Sequence, residues 1–134
     1  MAETQVQKKI MIRGRLQKVW DTVIGVNKYG WRSNVLRIIV LNDSCFEEYD
    51  TEELITRFEI TDYEKNASLD LEFENAEWLG HCTMLFEEED DYTILEVILE
   101  ARSRKLTLAP ILKKTMEKRM EQYLADLRYE IQTS

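Results

Sequence analysis

Proline, glycine, cysteine and histidine are all scarce in this sequence, and each scarcity excludes something. One proline and four glycines in 134 residues argue against a disordered or linker-rich chain. The two cysteines, Cys45 and Cys82, are too few and too far apart for the disulfide framework of a small secreted scaffold. Two free thiols in a reducing compartment is the simpler reading. A single histidine and two cysteines without close ligand spacing make a poor zinc set, so neither a metal nor a cofactor is expected. No run of 18 apolar residues occurs, which argues against a spanning helix, and the opening stretch MAETQVQKKI lacks the apolar centre of a secretory signal. A cytoplasmic location is the expectation. Basic excess is missing too. A net charge of −8 argues against sequence-independent binding to nucleic acid phosphates.

What is present is an ordinary globular balance, 44% hydrophobic and 33% charged residues. A chain of this length is expected to form one domain, spanning 1–134, able to bury roughly two-thirds of its unfolded surface. The charge is unevenly spread. Residues 102–119, RSRKLTLAPILKKTMEKR, hold seven Lys or Arg and one Glu, a local +6, so the remainder sums to −14. This segment is either a solvated helix face or a dock for an acidic partner or lipid headgroup.

Periodicity supplies the elements. Residues 5–13 alternate weakly, as a strand does. Leu16, Val19, Trp20, Val23 and Ile24 form the stripe of an amphipathic helix, with Gly25 where a left-handed terminating residue would sit. VNKYGWRSN reads as a short second helix or turn. From residue 35 to 102 the period becomes two, predicting six strands at 35–41, 44–50, 53–63, 68–74, 77–87 and 92–102, joined by short polar loops as an antiparallel meander. A long helix is predicted over 107–132, about 39 Å at 1.5 Å per residue. Thr107 is its expected cap, Pro110 lies in its first turn, and Leu108, Leu112, Met116, Met120, Tyr123, Leu127 and Ile131 form its apolar stripe.

Counting facing pairs outward from even-length loops assigns one mostly apolar face. It gathers Leu36, Ile38, Val40, Leu54, Phe58, Ile60, Leu69, Leu71, Phe73, Trp78, Met84, Leu95, Val97 and Leu99. Cys82 joins that face, and His81, its neighbour, points outward opposite Ile98, so the two cannot form a nucleophile pair. The outer face carries Arg57, Glu59, Asp70, Glu72, Thr83, Glu96 and Glu100 together with Ile39, Leu41, Phe46, Leu79, Leu85, Ile94 and Ile98, which leaves a homodimer or protein partner open. The same counting places Glu47 inside. A buried carboxylate must be paired, protonated or near water, so Glu47 is either a rim residue or a polar anchor for a ligand, with Thr56, Tyr49 or Arg119 nearby.

In its order of strand, helix, short helix, six-stranded meander and long closing helix, the chain resembles the START-like, or SRPBCC, superfamily. That superfamily includes the polyketide cyclase/dehydrase group and the birch-pollen allergen. The segments that carry the resemblance are VWDTVIGVNKYGWRSNV, GHCTMLFEE and MEKRMEQYLADLRYEI. It implies an α+β helix-grip fold, a curved seven-stranded antiparallel sheet (β-α-α-β6-α) wrapped around the C-terminal helix. It also implies a cavity for an apolar ligand at Trp31, Phe58, Phe73, Trp78, Cys82, Met84, Val97, Met116, Met120 and Tyr123. Glu47 and Tyr49 join these as candidate ligand-binding positions. In that family a proline commonly follows the tryptophan of the short helix, and here Arg32 and Ser33 follow Trp31.

Three functions are compatible with this reading. The first is non-catalytic binding of a small apolar or amphipathic molecule between sheet and helix. The second is a protein-interaction module of the co-chaperone or ribosome-associated type. The third is a cyclase/dehydrase-type enzyme, which needs positioned acids and bases, for which only Glu47, Tyr49 and Tyr123 offer themselves.

Overall fold

The structure is a computed structural model and describes residues 2–134. The chain runs β1 (Glu3–Arg13), α1 (Leu16–Ile24), β2 (Val35–Asn42), β3 (Cys45–Asp50), β4 (Ile55–Glu64), β5 (Ser68–Glu74), β6 (Trp78–Glu89), β7 (Tyr92–Ser103) and α2 (Ala109–Thr133). The strands form one antiparallel sheet in the order β1-β7-β6-β5-β4-β3-β2. β2 to β7 are the expected meander, and β1 completes the sheet beside β7. The sheet grips α2 on one face, the α+β helix-grip arrangement implied above.

Each helix hides one stripe. Val19, Trp20 and Val23 of α1 are buried, as are Leu112, Met116, Met120, Leu124, Leu127 and Ile131 of α2. The core they join includes Ile12, Phe86 and Leu95 from the sheet. Trp20 meets Phe86 edge-on with ring centroids 5.1 Å apart. At roughly 25 cal/mol per Å² of apolar surface removed from water, such a core is the main term that offsets chain entropy.

Several local expectations are corrected. Gly25 has φ −76°, not a left-handed angle, and ends α1 by donating its N–H to the Asp21 carbonyl at 3.0 Å. The segment from 25 to 34 takes the second of its two expected forms, successive turns, so the second helix of the implied β-α-α order is not formed there. Leu108 rather than Thr107 occupies the cap of α2, with no side-chain capping bond, and it lies in the preceding loop, 68% exposed. Leu124 takes its place in the stripe.

The strand registers reveal the larger correction. β3 and β4 pair Phe46 with Phe58, Glu47 with Arg57 and Glu48 with Thr56, one residue out of phase with the even-loop count. Asp50 and Leu54 close the turn, leaving three residues in the loop, the last of them, Glu53, at φ 65°. A three-residue loop with a left-handed final residue is a standard hairpin form, and its odd length exchanges the faces of β3. Phe46 is therefore inside, 6% exposed. β2 inherits irregular pairing at both ends. On this edge strand Leu36 and Val40, expected inside, are 65% and 49% exposed.

β4 and β5 keep the expected pairs Ile60–Leu71 and Phe58–Phe73. β5–β6 and β6–β7 are each offset by two residues from expectation, which changes partners and preserves faces.

Candidate functional site

Between the inner face of the sheet and α2 lies a cavity of about 150 Å³. The sheet walls it with Phe46, Phe58, Phe73, Trp78, Cys82, Met84 and Val97. The helix adds Met116, Met120 and Tyr123, and the turn segment adds Trp31 and Arg32. Phe46 stacks on Phe58 at 5.1 Å and 11°, and Phe58 leans on Phe73 at 6.1 Å. Trp31 meets Tyr123 edge-on at 5.4 Å. Aromatic pairs at these spacings add to simple area burial and hold rings in fixed orientations.

One part of the wall is charged. Glu48 and Asp50 alternate on the inner face of β3 and are 7% and 3% exposed. Arg32 answers Glu48 with two hydrogen bonds, at 3.0 and 3.4 Å. Arg119 of α2 donates to Asp50 Oδ2 at 2.6 Å, and its other terminal nitrogen is 3.5 Å from Glu52. Asp50 Oδ1 accepts the N–H groups of Glu52 and Leu54 at 2.8 and 3.1 Å. Each buried carboxylate therefore has the charged and hydrogen-bonded partners that burial demands. The guanidinium groups also stack, Arg32 at 4.7 Å over Tyr123 and Arg119 at 5.1 Å over Trp78, using the planar cation's affinity for aromatic faces. The two ion pairs tie the turn segment and α2 to β3. Ser33 adds a second tie, donating both its N–H and its hydroxyl to Asp126 at 2.8 Å.

Ten of the sequence-derived positions come together on this wall: Trp31, Phe58, Phe73, Trp78, Cys82, Met84, Val97, Met116, Met120 and Tyr123. Glu47 and Tyr49 do not. The odd β3–β4 loop turns them to the opposite face, where Glu47 lies across from Arg57 and Arg37 stacks over Tyr49 at 4.3 Å. Phe46, Glu48 and Arg32 were missed for the same reason. Seating Phe46 inside brings two carboxylates with it, which an apolar pattern counts against. The offsetting signal was the pair of arginines, Arg32 and Arg119, each within helical or turn spacing of an aromatic residue.

Cys82 and His81 point to opposite faces. Burial, with a smaller contribution from the charge of Asp70, pushes the Cys82 thiol up to about 12, so it stays protonated and weakly nucleophilic. Tyr123 keeps part of its surface accessible, yet burial pushes its phenol above the ordinary value, against the lowering influence of Arg32. His81, facing out, has Nε2 at 3.2 Å from Asp70 Oδ1, which also accepts the Thr83 hydroxyl at 2.7 Å. Its cross-strand neighbours are Glu72 and Glu100, not Ile98. Among the described residues no cluster of three or more His, Cys, Asp or Glu side chains is arranged to hold a metal ion. A larger hollow of about 730 Å³ on this outer face is lined by charged side chains, among them Arg57, Glu59, Glu72, Glu100 and Arg102.

No family model and no curated protein matches the chain. Solved structures do match in shape. A START superfamily protein from Mycobacterium smegmatis superposes with a TM-score of 0.88 at 14% identity, over 96% of this chain and 97% of that one. The structure of Ara h 8.0201 gives 0.81 at 7% identity, over 99% and 100%. The Zhui aromatase/cyclase from a Streptomyces species gives 0.80 at 11% identity, over 97% and 94%. Likeness at these identities establishes the fold, which is START-like.

Proposed function

We propose that this protein binds a small apolar or amphipathic molecule, without turning it over, in the cavity between the sheet and α2. The observation that carries the reading is an aromatic and thioether-lined cavity with charge confined to one part of its wall. Ligand sites are typically apolar with a few placed polar groups. Size narrows the class. Apolar cavities near 150 Å³ take up benzene-sized molecules, whereas sites for larger ligands typically run from roughly 300 to 1,000 Å³. The occupant is accordingly one ring, or a short chain, in size. The two stacked arginines favour a hydroxyl, carboxyl or similar acceptor at one end. The chemistry of the wall supports binding over turnover: Cys82 and Tyr123 hold their protons, and Glu48 is engaged by Arg32.

The test is native mass spectrometry of gently purified protein, with organic extraction of anything retained. It is paired with thermal unfolding against a panel of single-ring phenols and aromatic acids. A ligand at one hundred times its dissociation constant stabilises the folded state by about 2.7 kcal/mol. Val97→Phe, which grows into the cavity, is expected to abolish both retention and stabilisation. A wild-type chain that carries nothing and is stabilised by no member of the panel would overturn the reading.

A further inference from the structure

At the end of the molecule where β7 gives way to α2, three apolar side chains project from the surface without a partner. Leu106 is 104% exposed, Leu108 68% and Ile111 56%. Exposed apolar residues are ordinary one at a time. Here three fall within six positions. On the exposed side of the first turns of α2 stand Lys113, Lys114 and Lys118, none of which makes an ion pair among the described residues. The other cations nearby are committed: Arg104 to Glu74, Lys105 to Glu77 and Arg119 to Asp50. Glu117 is the one acidic residue within 102–119. In a chain of net charge −8, the free lysines and the bare leucines coincide in one place.

We infer that this tip docks on an anionic lipid surface. Apolar side chains beside a basic helical face are the arrangement that settles at the boundary between headgroups and acyl chains. Lysines at an anionic leaflet are each worth roughly fivefold in partitioning. The charge elsewhere is acidic on balance: the rest of the chain sums to −14, which favours approach to an anionic surface by this end. A fluid bilayer also suits the shape better than an acidic protein does. A protein partner must supply a rigid hollow matched to three separate projections, whereas lipid closes around them. The inference is independent of what the cavity holds.

Flotation with vesicles of phosphatidylcholine and phosphatidylglycerol in equal parts tests it, with pure phosphatidylcholine vesicles as the control. The full chain is expected to float with the anionic vesicles at low salt and to be released as ionic strength rises. The triple variant Lys113→Glu, Lys114→Glu, Lys118→Glu and the double variant Leu106→Ser, Leu108→Ser are each expected to lose tenfold or more in partitioning. All five side chains are exposed, and unchanged circular dichroism melts would verify that the fold persists. A Leu106→Trp variant is expected to shift its emission to shorter wavelength on anionic vesicles only. Failure to float with anionic vesicles would overturn the inference and leave the tip to an acidic protein. Equal flotation with both compositions, or undiminished flotation of the Leu variant, would overturn it as well.

Discussion

At the scale of single residues, the inner sheet surface depends on where a side chain is missing. Gly80 on β6 sits opposite Ala101, and a methyl group on it would overlap the Glu100 carbonyl oxygen and come within 2.7 Å of the Phe73 ring. The backbone cannot yield there without parting β6 from β7. Gly80→Ala is expected to cost on the order of 2 kcal/mol or more, read from urea unfolding, and to disturb the Phe73 wall of the cavity. A variant as stable as the wild type would show that the strands are not held at this approach. The opposite orientations of His81 and Cys82 were legible in the sequence, because alternation is a local property and β6 runs unbroken from Trp78 to Glu89. Arg32 was not legible. Its role depends on meeting Glu48, sixteen residues away, and on which way that glutamate faces.

At the scale of elements, helices and strands were readable to within about two residues, since each carries its own period. Registers were not, because a hairpin's phase is set by one loop residue. Glu53, Asn66 and Asp90 all adopt positive φ, a conformation usually signalled by glycine, and no glycine marks any of them. The β4–β5 hairpin shows how two unseen features cancel. Its loop is one residue shorter than counted, pairing Glu64 with Ser68, and an irregularity between Ile60 and Asp62 restores the phase. The faces there came out as expected although neither detail was visible. At β3–β4 no such irregularity follows, so Glu47 and Glu48 exchanged roles. Because a left-handed angle costs a non-glycine residue roughly 1–2 kcal/mol, Glu53→Gly is expected to stabilise the protein by roughly 0.5–1 kcal/mol in the same unfolding measurement. A loss of stability would argue that the turn has another form.

At the scale of the whole molecule, buried acids make stability fall as pH becomes alkaline. Cys82 is raised from 9.0 to about 12 by burial first and the charge of Asp70 second. Its folded-state value exceeds the unfolded one, so the folded state keeps a proton that the unfolded chain releases. The stabilising contribution is full below pH 9 and is lost as pH climbs toward 12. One such proton corresponds to about 1.4 kcal/mol per pH unit at most. Chemical unfolding between pH 8 and 11 is expected to show the wild type losing stability faster than Cys82→Ala by up to that slope, and parallel curves would contradict the burial of the thiol. Tyr123, raised by the same cause, acts in the same direction and remains in both proteins.

The pairing of β1 with β7 has a consequence in time. Glu3 lies opposite Arg102 and Arg13 opposite Tyr92, so the first strand made pairs with the last. At roughly 5–20 residues per second, the N-terminal strand waits several seconds on the ribosome with its backbone groups open to water. β3 to β7 can pair in order as they emerge, each with the strand just before it. β1 and β7 close the sheet together and late. Contacts so far apart in sequence make folding slow relative to chains whose contacts are local.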